Sequence, residues 1–208
     1  MIYPETFEFL KDLAQNNNRE WFQANKARYE AAQQNTIALA AKLIAALSKT
    51  DPSINADMDA KKCVLRIYRD VRFSLDKTPY KTNLSVGRLR SGKANERIGY
   101  FLQIEPGASF IAGGYWLPEQ EHLKAIRQEI DYNAAGLKEI IDAPHFTKLF
   151  GDFREQEKLK TLPRDYPADH EHIELLKLKS FAAIHDLTDD VLMDSSAVQY
   201  IAEVCKGG

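Results

Sequence analysis

Apolar residues recur three and four positions apart through the first fifty residues. The spacing predicts a helix over residues 4–15, and Pro4 suits the first turn of that helix. A second run of the same period extends to about Ser48 from Asn17, which is interpreted as an N-cap because Glu20 follows three residues later. A helix of that length would measure about 45 Å, so the pattern predicts one long N-terminal helix.

The pattern changes to a period of two between residues 63 and 73. Such alternation is typical of a strand with two different faces. Arg69 lies on the apolar face of this strand, so its guanidinium would need a carboxylate or carbonyl partner. A bulge at Arg69-Asp70 would instead bring three arginines to one side. In the regular strand the opposite face is polar and carries Arg66, Tyr68, Asp70 and Arg72.

Short alternating runs predict further strands. Residues 84–89 predict one strand, and residues 98–105 and 109–112 predict a hairpin that turns at Pro106-Gly107. Gly113-Gly114 is expected to break or bulge the second arm of this hairpin.

The remaining chain is mainly helical in its periodicity, and it shows neither a linker nor a repeat. The predicted helices span residues 119–131, 134–142, 145–150, 170–177, 188–194 and 196–205, with a strand over 180–185. The sequence therefore predicts a single α+β domain over residues 1–208. Its expected parts are a mainly antiparallel sheet, a long N-terminal helix and a helical C-terminal half.

The composition is that of a folded globular protein. The 208 residues are 44% hydrophobic and 28% charged, which excludes an intrinsically disordered chain. Cys63 and Cys205 lack paired spacing and predict neither a disulfide framework nor a thiolate metal site. The first residues show no secretory leader, and no apolar run is long enough to span a membrane. We therefore expect a cytoplasmic protein with no membrane partner.

The charge is concentrated in one segment. Residues 61–97 contain eleven basic residues against three acidic ones, whereas the whole chain has a net charge of -2. This asymmetry predicts a local field that attracts phosphate or carboxylate groups while the acidic remainder limits indiscriminate binding. We expect general nucleic-acid binding to be weak, because a duplex requires a stripe of cations that follows many phosphates.

The run from Arg66 to Thr82 resembles the signature of the bacterial family known as domain of unknown function 2461. That signature is an arginine, then Arg-Asp-x-Arg-Phe, then an Asp-Lys pair followed by a tyrosine, and the segments 17–22 and 113–116 also match what is expected of the family. The resemblance covers most of the chain and implies no reaction, substrate or cofactor. It also implies relatives that continue a little beyond Gly208.

The basic segment supplies the candidate site. Guanidinium groups bind phosphate in a bidentate manner, and lysines after a turn would add to the same cluster. The predicted ligand-binding residues are Arg66, Tyr68, Arg69, Asp70, Arg72, Asp76, Lys77, Tyr80 and Lys81. The leading hypothesis is an anion-binding site for a phosphorylated small molecule.

Three other interpretations of these residues remain open. Asp70 and Asp76 would hold Mg²⁺ in a phosphoryl-transfer enzyme. The basic face would dock an acidic protein partner, or the arginines would form a structural ion-pair scaffold. The sequence contains no phosphate-cradling loop, dinucleotide fingerprint or recognised metal motif, so we predict no cofactor and no metal site. Trp21, Phe22 and Trp116 are interpreted as core aromatics.

Overall fold

A four-stranded antiparallel sheet organises the protein in the computed structural model, which describes residues 1–89, 98–153 and 157–207. The strands follow one another across the sheet in chain order. They are β1 (Leu84–Leu89), β2 (Ile98–Ile104), β3 (Ser109–Tyr115) and β4 (Phe181–Leu187). The predicted hairpin and the predicted last strand are confirmed.

Ten helices surround this sheet within the described ranges. They are α1 (Pro4–Gln15), α2 (Arg19–Ala24), α3 (Lys26–Leu47), α4 (Ala60–Cys63), α5 (Gln120–Asn133), α6 (Ala135–Ile141), α7 (Pro144–Phe150), α8 (Ile173–Leu176), α9 (Asp189–Met193) and α10 (Ala197–Lys206). The α+β fold class predicted from periodicity is confirmed. None of these helices is long and apolar enough to cross a membrane.

The two faces of the sheet differ in burial. Alternate positions such as Val86, Leu102 and Ile111 are fully buried and pack in one core with α1, α3 and α10. Several of the side chains between them, including Phe101 and Phe110, are only partly buried. One face therefore holds the core, and the second face is available to line clefts.

The predicted long N-terminal helix is interrupted at Asn25. The Asn25 side chain donates a hydrogen bond to the Trp21 carbonyl at 2.9 Å, and its backbone N–H turns back to the Trp21 and Phe22 carbonyls. Asparagine competes in this way for backbone groups, so α2 ends and α3 starts afresh. The N-cap of α2 is Asn18, not Asn17, because the Asn18 side chain accepts from the Trp21 N–H.

The predicted strand over residues 63–73 is wrong. Its start is the helix α4, and only isolated bridges at Val64 and Tyr68 follow. Ile67 is buried, but Phe73 at the other end of the alternating run is 96% exposed. The alternation does not place one face in the core, because Arg69 turns to partners in the loop that follows and Arg72 pairs with Asp70 within the segment.

The predicted break at Gly113-Gly114 is also wrong. Both residues pair in unbroken register with β2 and β4. Gly114 has a φ of +132°, and a Cβ at this position would collide with the Phe181 carbonyl oxygen. Close approach of two strands, rather than a bulge, explains this glycine.

One buried asparagine fastens the N-terminus to α3. The Asn35 side-chain oxygen accepts from the Tyr3 N–H at 2.8 Å and from the Thr6 hydroxyl at 3.0 Å, and its amide donates to the Met1 carbonyl. These bonds satisfy polar groups at the start of α1 that would otherwise be buried without partners.

Asn35→Ala is expected to lower the free energy of unfolding by about 1–3 kcal/mol, because it strands a buried hydroxyl and a backbone N–H. Urea unfolding measures the effect. Gln34→Ala, at the exposed neighbouring position, is the control and should stay close to wild type. Equal stabilities of the two variants would contradict this role.

Candidate functional site: a cationic cleft beside the sheet

An irregular hairpin over residues 67–81 builds the candidate site. The Arg69 N–H donates to the Pro79 carbonyl at 2.9 Å, and the Lys81 N–H donates to the Ile67 carbonyl at 2.8 Å. Just before the hairpin, the Leu65 N–H donates to the Ser85 carbonyl at 2.8 Å and joins the segment to the edge of β1. The hairpin thus brings cations from its two arms to the same edge of the sheet.

Asn17 holds this hairpin against the N-terminal helices. Its side-chain amide donates to the Tyr80 carbonyl at 2.9 Å, and its oxygen accepts from the Tyr80 N–H at 3.1 Å. The Tyr80 ring is 4% exposed and stacks on Phe22 with centroids 3.9 Å apart. Tyr80 is therefore an anchor of the site rather than a surface residue of it.

Arg69 has the acidic and carbonyl partners that the sequence predicts for it. Its guanidinium bonds the Asp76 carboxylate, the Thr78 hydroxyl and, at 3.3 Å, the Thr78 carbonyl. The Thr78 N–H and the Arg69 guanidinium together lower the pKa of Asp76 to about 2. Asp76 thus remains charged and positions Arg69, whose side chain is still 27% exposed.

Arg72 and Lys77 are directed to other partners at the end of the hairpin. Arg72 forms a two-point ion pair with Asp70, at 2.9 Å from Nε and 2.6 Å from Nη2, and this pair lowers the pKa of Asp70. Lys77 donates to the Val71 carbonyl at 3.0 Å. Between them Leu75 is fully exposed to solvent, so this end of the hairpin presents apolar as well as charged groups.

An open cleft of about 400 Å³ lies where the hairpin meets the sheet. Three predicted residues line it: Arg69, Asp70 and Lys81. Leu65, Asn83, Ser85, Phe101 and Gln103 complete the lining. The Asp70 carboxylate is neutralised by Arg72, which leaves the cations to dominate the cleft.

Arg66 and Lys81 are the cations of the cluster that form no ion pair, although the Arg66 charge helps to lower the pKa of the nearby Asp70 carboxylate. Burial and the neighbouring Arg66 charge lower the pKa of Lys81. Neither side chain has an ion-pair or hydrogen-bond partner among the described residues, whereas Arg69 and Arg72 each have a carboxylate. Two nearby cations without a carboxylate are an arrangement that an anion would stabilise.

Tyr68 lies outside the cleft, on an aromatic cluster. Its ring is half exposed and lies 5.5 Å from the Tyr80 ring and 6.1 Å from the Phe22 ring. Of the nine predicted residues, the structure therefore brings Arg66, Arg69, Asp70 and Lys81 together, and Asp76 and Tyr80 support them. The basic residues Arg90, Lys93 and Arg97 lie outside the described ranges.

A second cleft, of about 420 Å³, adjoins the first along the partly buried face of the sheet. Phe101 lines both clefts. Trp116, interpreted from the sequence as a core residue, is instead 50% exposed at the rim of this second cleft. Phe22 is a core residue as predicted, and Trp21 is partly buried against the same core.

The Mg²⁺ interpretation is not favoured by the positions of the two aspartates. Each carboxylate is already engaged by a different arginine. Over residues 1–89, 98–153 and 157–207, no group of three or more histidine, cysteine, aspartate or glutamate side chains is arranged to hold a metal ion.

Sequence reasoning missed Asn17 and the polar residues of β1 and β2. Asn17 was expected to cap a helix, and nothing in its local sequence indicates a bond to a residue 63 positions away. A signal for Phe101 and Gln103 does exist, because the alternation in β2 places both on the face opposite Leu102. That face carries aromatic residues, whereas the solvent-facing side of an antiparallel strand is usually polar.

A family described as "Conserved hypothetical protein (DUF2461)" matches residues 5–207. No curated protein and no solved structure matches the chain. The match includes the whole hairpin and both clefts.

Loss of the Asp76 charge is expected to destabilise the protein fully above about pH 4 and progressively less as the pH falls from about 4 to about 2. The folded pKa of Asp76 is about 2, below the usual value of an unfolded aspartate, about 3.9. Its contribution is therefore fully present above the unfolded pKa and is lost as the pH falls through the folded pKa. Unfolding free energies of wild type and Asp76→Asn should differ at neutral pH and converge near about pH 2. A difference that is independent of pH would contradict this assignment.

Asn17→Asp tests the tether on the hairpin. Aspartate keeps the acceptor for the Tyr80 N–H but replaces the amide donor with a charge that repels the Tyr80 carbonyl. We expect a loss of about 1–3 kcal/mol in unfolding free energy and faster amide exchange of Arg69 and Lys81. Asn18→Asp, which keeps a cap acceptor for α2, is the control and should leave exchange in the hairpin unchanged. Unaltered exchange in Asn17→Asp would show that the tether does not hold the hairpin.

Proposed function

The chain belongs to the DUF2461 family of conserved hypothetical proteins, and we propose that it binds a phosphorylated small molecule in the cationic cleft. The observation that carries the proposal is the pair formed by Arg66 and Lys81. Lys81 lines the cleft and Arg66 lies near Lys81, and neither side chain forms an ion pair among the described residues.

The surrounding groups suit the oxygens of a phosphate. Arg69 is held in place by Asp76 and Thr78 but remains partly exposed in the cleft wall. Asn83, Ser85 and Gln103 add polar groups that are able to hydrogen-bond a phosphate ester. A preformed guanidinium beside an ammonium binds a dianion with little loss of side-chain entropy, because the guanidinium is already ordered.

The compact arrangement favours a small ligand over a nucleic-acid backbone. Two cations, Arg69 and Lys81, line the cleft, and Arg66 lies near Lys81. Arg72 and Lys77 are engaged at the far end of the hairpin. A duplex would require cations that follow successive phosphates along a stripe.

The scaffold interpretation applies to other members of the cluster. Arg69 and Arg72 are in ion pairs within the hairpin, as a structural role requires. Arg66 and Lys81 are not, and their replacement leaves no carboxylate without a partner. The two roles are therefore carried by different residues of one cluster.

Inorganic phosphate is the probe, with binding measured by calorimetry at low salt. Lys81→Met and Arg66→Met should each weaken binding about tenfold or more, because a hydrogen bond to a charged group is lost. Both variants should keep the unfolding temperature of wild type. Lys77→Met is the matched control. It removes one charge from the same hairpin, but the Lys77 amine donates to the Val71 carbonyl.

Two results would overturn the proposal. One is phosphate binding that Lys81→Met and Lys77→Met weaken equally, which would indicate a diffuse field rather than a site. The other is an absence of phosphate binding, which would make the protein-interaction hypothesis the leading one. The fully exposed Phe73 and Leu75, flanked by cations, are the observation that favours that hypothesis.

A further inference from the structure

We infer that the ligand is a phosphate monoester of a planar, largely apolar ring, with the ring seated on the second face of the sheet. The inference rests on the proposed function, because the phosphate occupies the cationic cleft. The ring is assigned from the shape of the second cleft and from its connection to the first cleft through Phe101.

The floor of the second cleft is formed by backbone and by residues with no side chain or a small one. Gly99 of β2 and Gly114 of β3 are direct partners in the antiparallel register, and both have positive φ. Ala112 and Ala182 extend this low surface on either side. A flat group can therefore approach the sheet more closely here than where side chains stand on it.

The walls of the cleft are aromatic. Phe101 and Phe110 lie side by side with ring centroids 5.9 Å apart, and the half-exposed Trp116 lies at the rim. Flat surfaces of this kind favour stacked or edge contacts with another ring. The volume of about 420 Å³ lies within the range of small-molecule sites, which is about 300–1,000 Å³.

Phe101 connects the two clefts and sets the order of the groups in the ligand. Phe101 lines both clefts, the first together with Arg69 and Lys81 and the second together with the glycine floor. A ligand that spans both clefts therefore carries its anionic group next to its ring. An aryl phosphate has this order, whereas a free acid on a long chain would place its charge far from most of its apolar surface.

The test compares inorganic phosphate, 1-naphthyl phosphate and neutral 1-naphthol on the whole chain by calorimetry. Wild type should bind 1-naphthyl phosphate about tenfold more tightly than inorganic phosphate, since the ring adds stacking and apolar burial. Trp116→Ala should abolish that gain and leave the affinity for inorganic phosphate unchanged. Lys81→Met should weaken the binding of both anions.

Two further variants make the comparison specific. Ala112→Leu fills the floor and should also remove the gain, so the test does not depend on the folding of Trp116→Ala alone. Tyr132→Ala removes an aromatic ring that is 85% exposed on α5, away from the cleft lining, and should change neither affinity.

The outcomes separate this inference from the proposed function. If inorganic phosphate binds but 1-naphthyl phosphate binds no more tightly, the ring site is wrong and the anion site stands. If neither anion binds, the proposed function itself fails. If 1-naphthol binds as tightly as 1-naphthyl phosphate, the two clefts do not act together and the inference is overturned.

Discussion

The two hydrogen bonds between the Asn17 side chain and the Tyr80 backbone are the constraint on which the site depends. They give Tyr80 the donor and acceptor that a neighbouring strand would otherwise provide. The hairpin over residues 67–81 has few ladder bonds of its own, so this substitute fixes its position. Stacking of Tyr80 on Phe22 then ties that position to the main core.

Within the anchored hairpin, some of the cations are paired with carboxylates and others are not. Two arginines receive a carboxylate from the hairpin itself, and those pairs order the loop. Exposed ion pairs of this kind add little to stability, but they fix the directions of side chains. Arg66 and Lys81 receive no such partner, and the repulsion between them persists in the folded protein. The cluster therefore contains both cations ordered by ion pairs and cations that form none.

The periodicity of the sequence predicted a helix or strand correctly where one face of that element packs against the core. The α1 helix, the hairpin of β2 and β3, and the last strand match their predictions closely. It failed between residues 63 and 73, because alternation there reflects local polar pairing and, after Val64, only Ile67 is buried in the core. It also failed at Asn25, where the side-chain amide shares the Trp21 carbonyl with the backbone N–H and the helix is interrupted.

The site was predictable in chemistry but not in geometry. The charge excess identified the segment that forms the cationic cleft, and the need of Arg69 for an acidic partner was evident from its neighbours. Which cations would be compensated could not be read from the sequence, since it depends on how the loop from Asp70 to Thr78 closes. The contribution of Asn17 depends on contact across 63 residues, which spacing rules do not address.

Gly114 of β3 matters both for the pairing of the strands and for the shape of the second cleft. At Gly114 the approach of β4 leaves no room for a Cβ, and the same missing side chain keeps the floor of the second cleft low. A substitution there would damage strand pairing before it could alter a ligand's fit. A different shape of the second cleft must therefore come from its aromatic walls, its rim or the alanines beside the glycines, while strand pairing keeps Gly114 fixed.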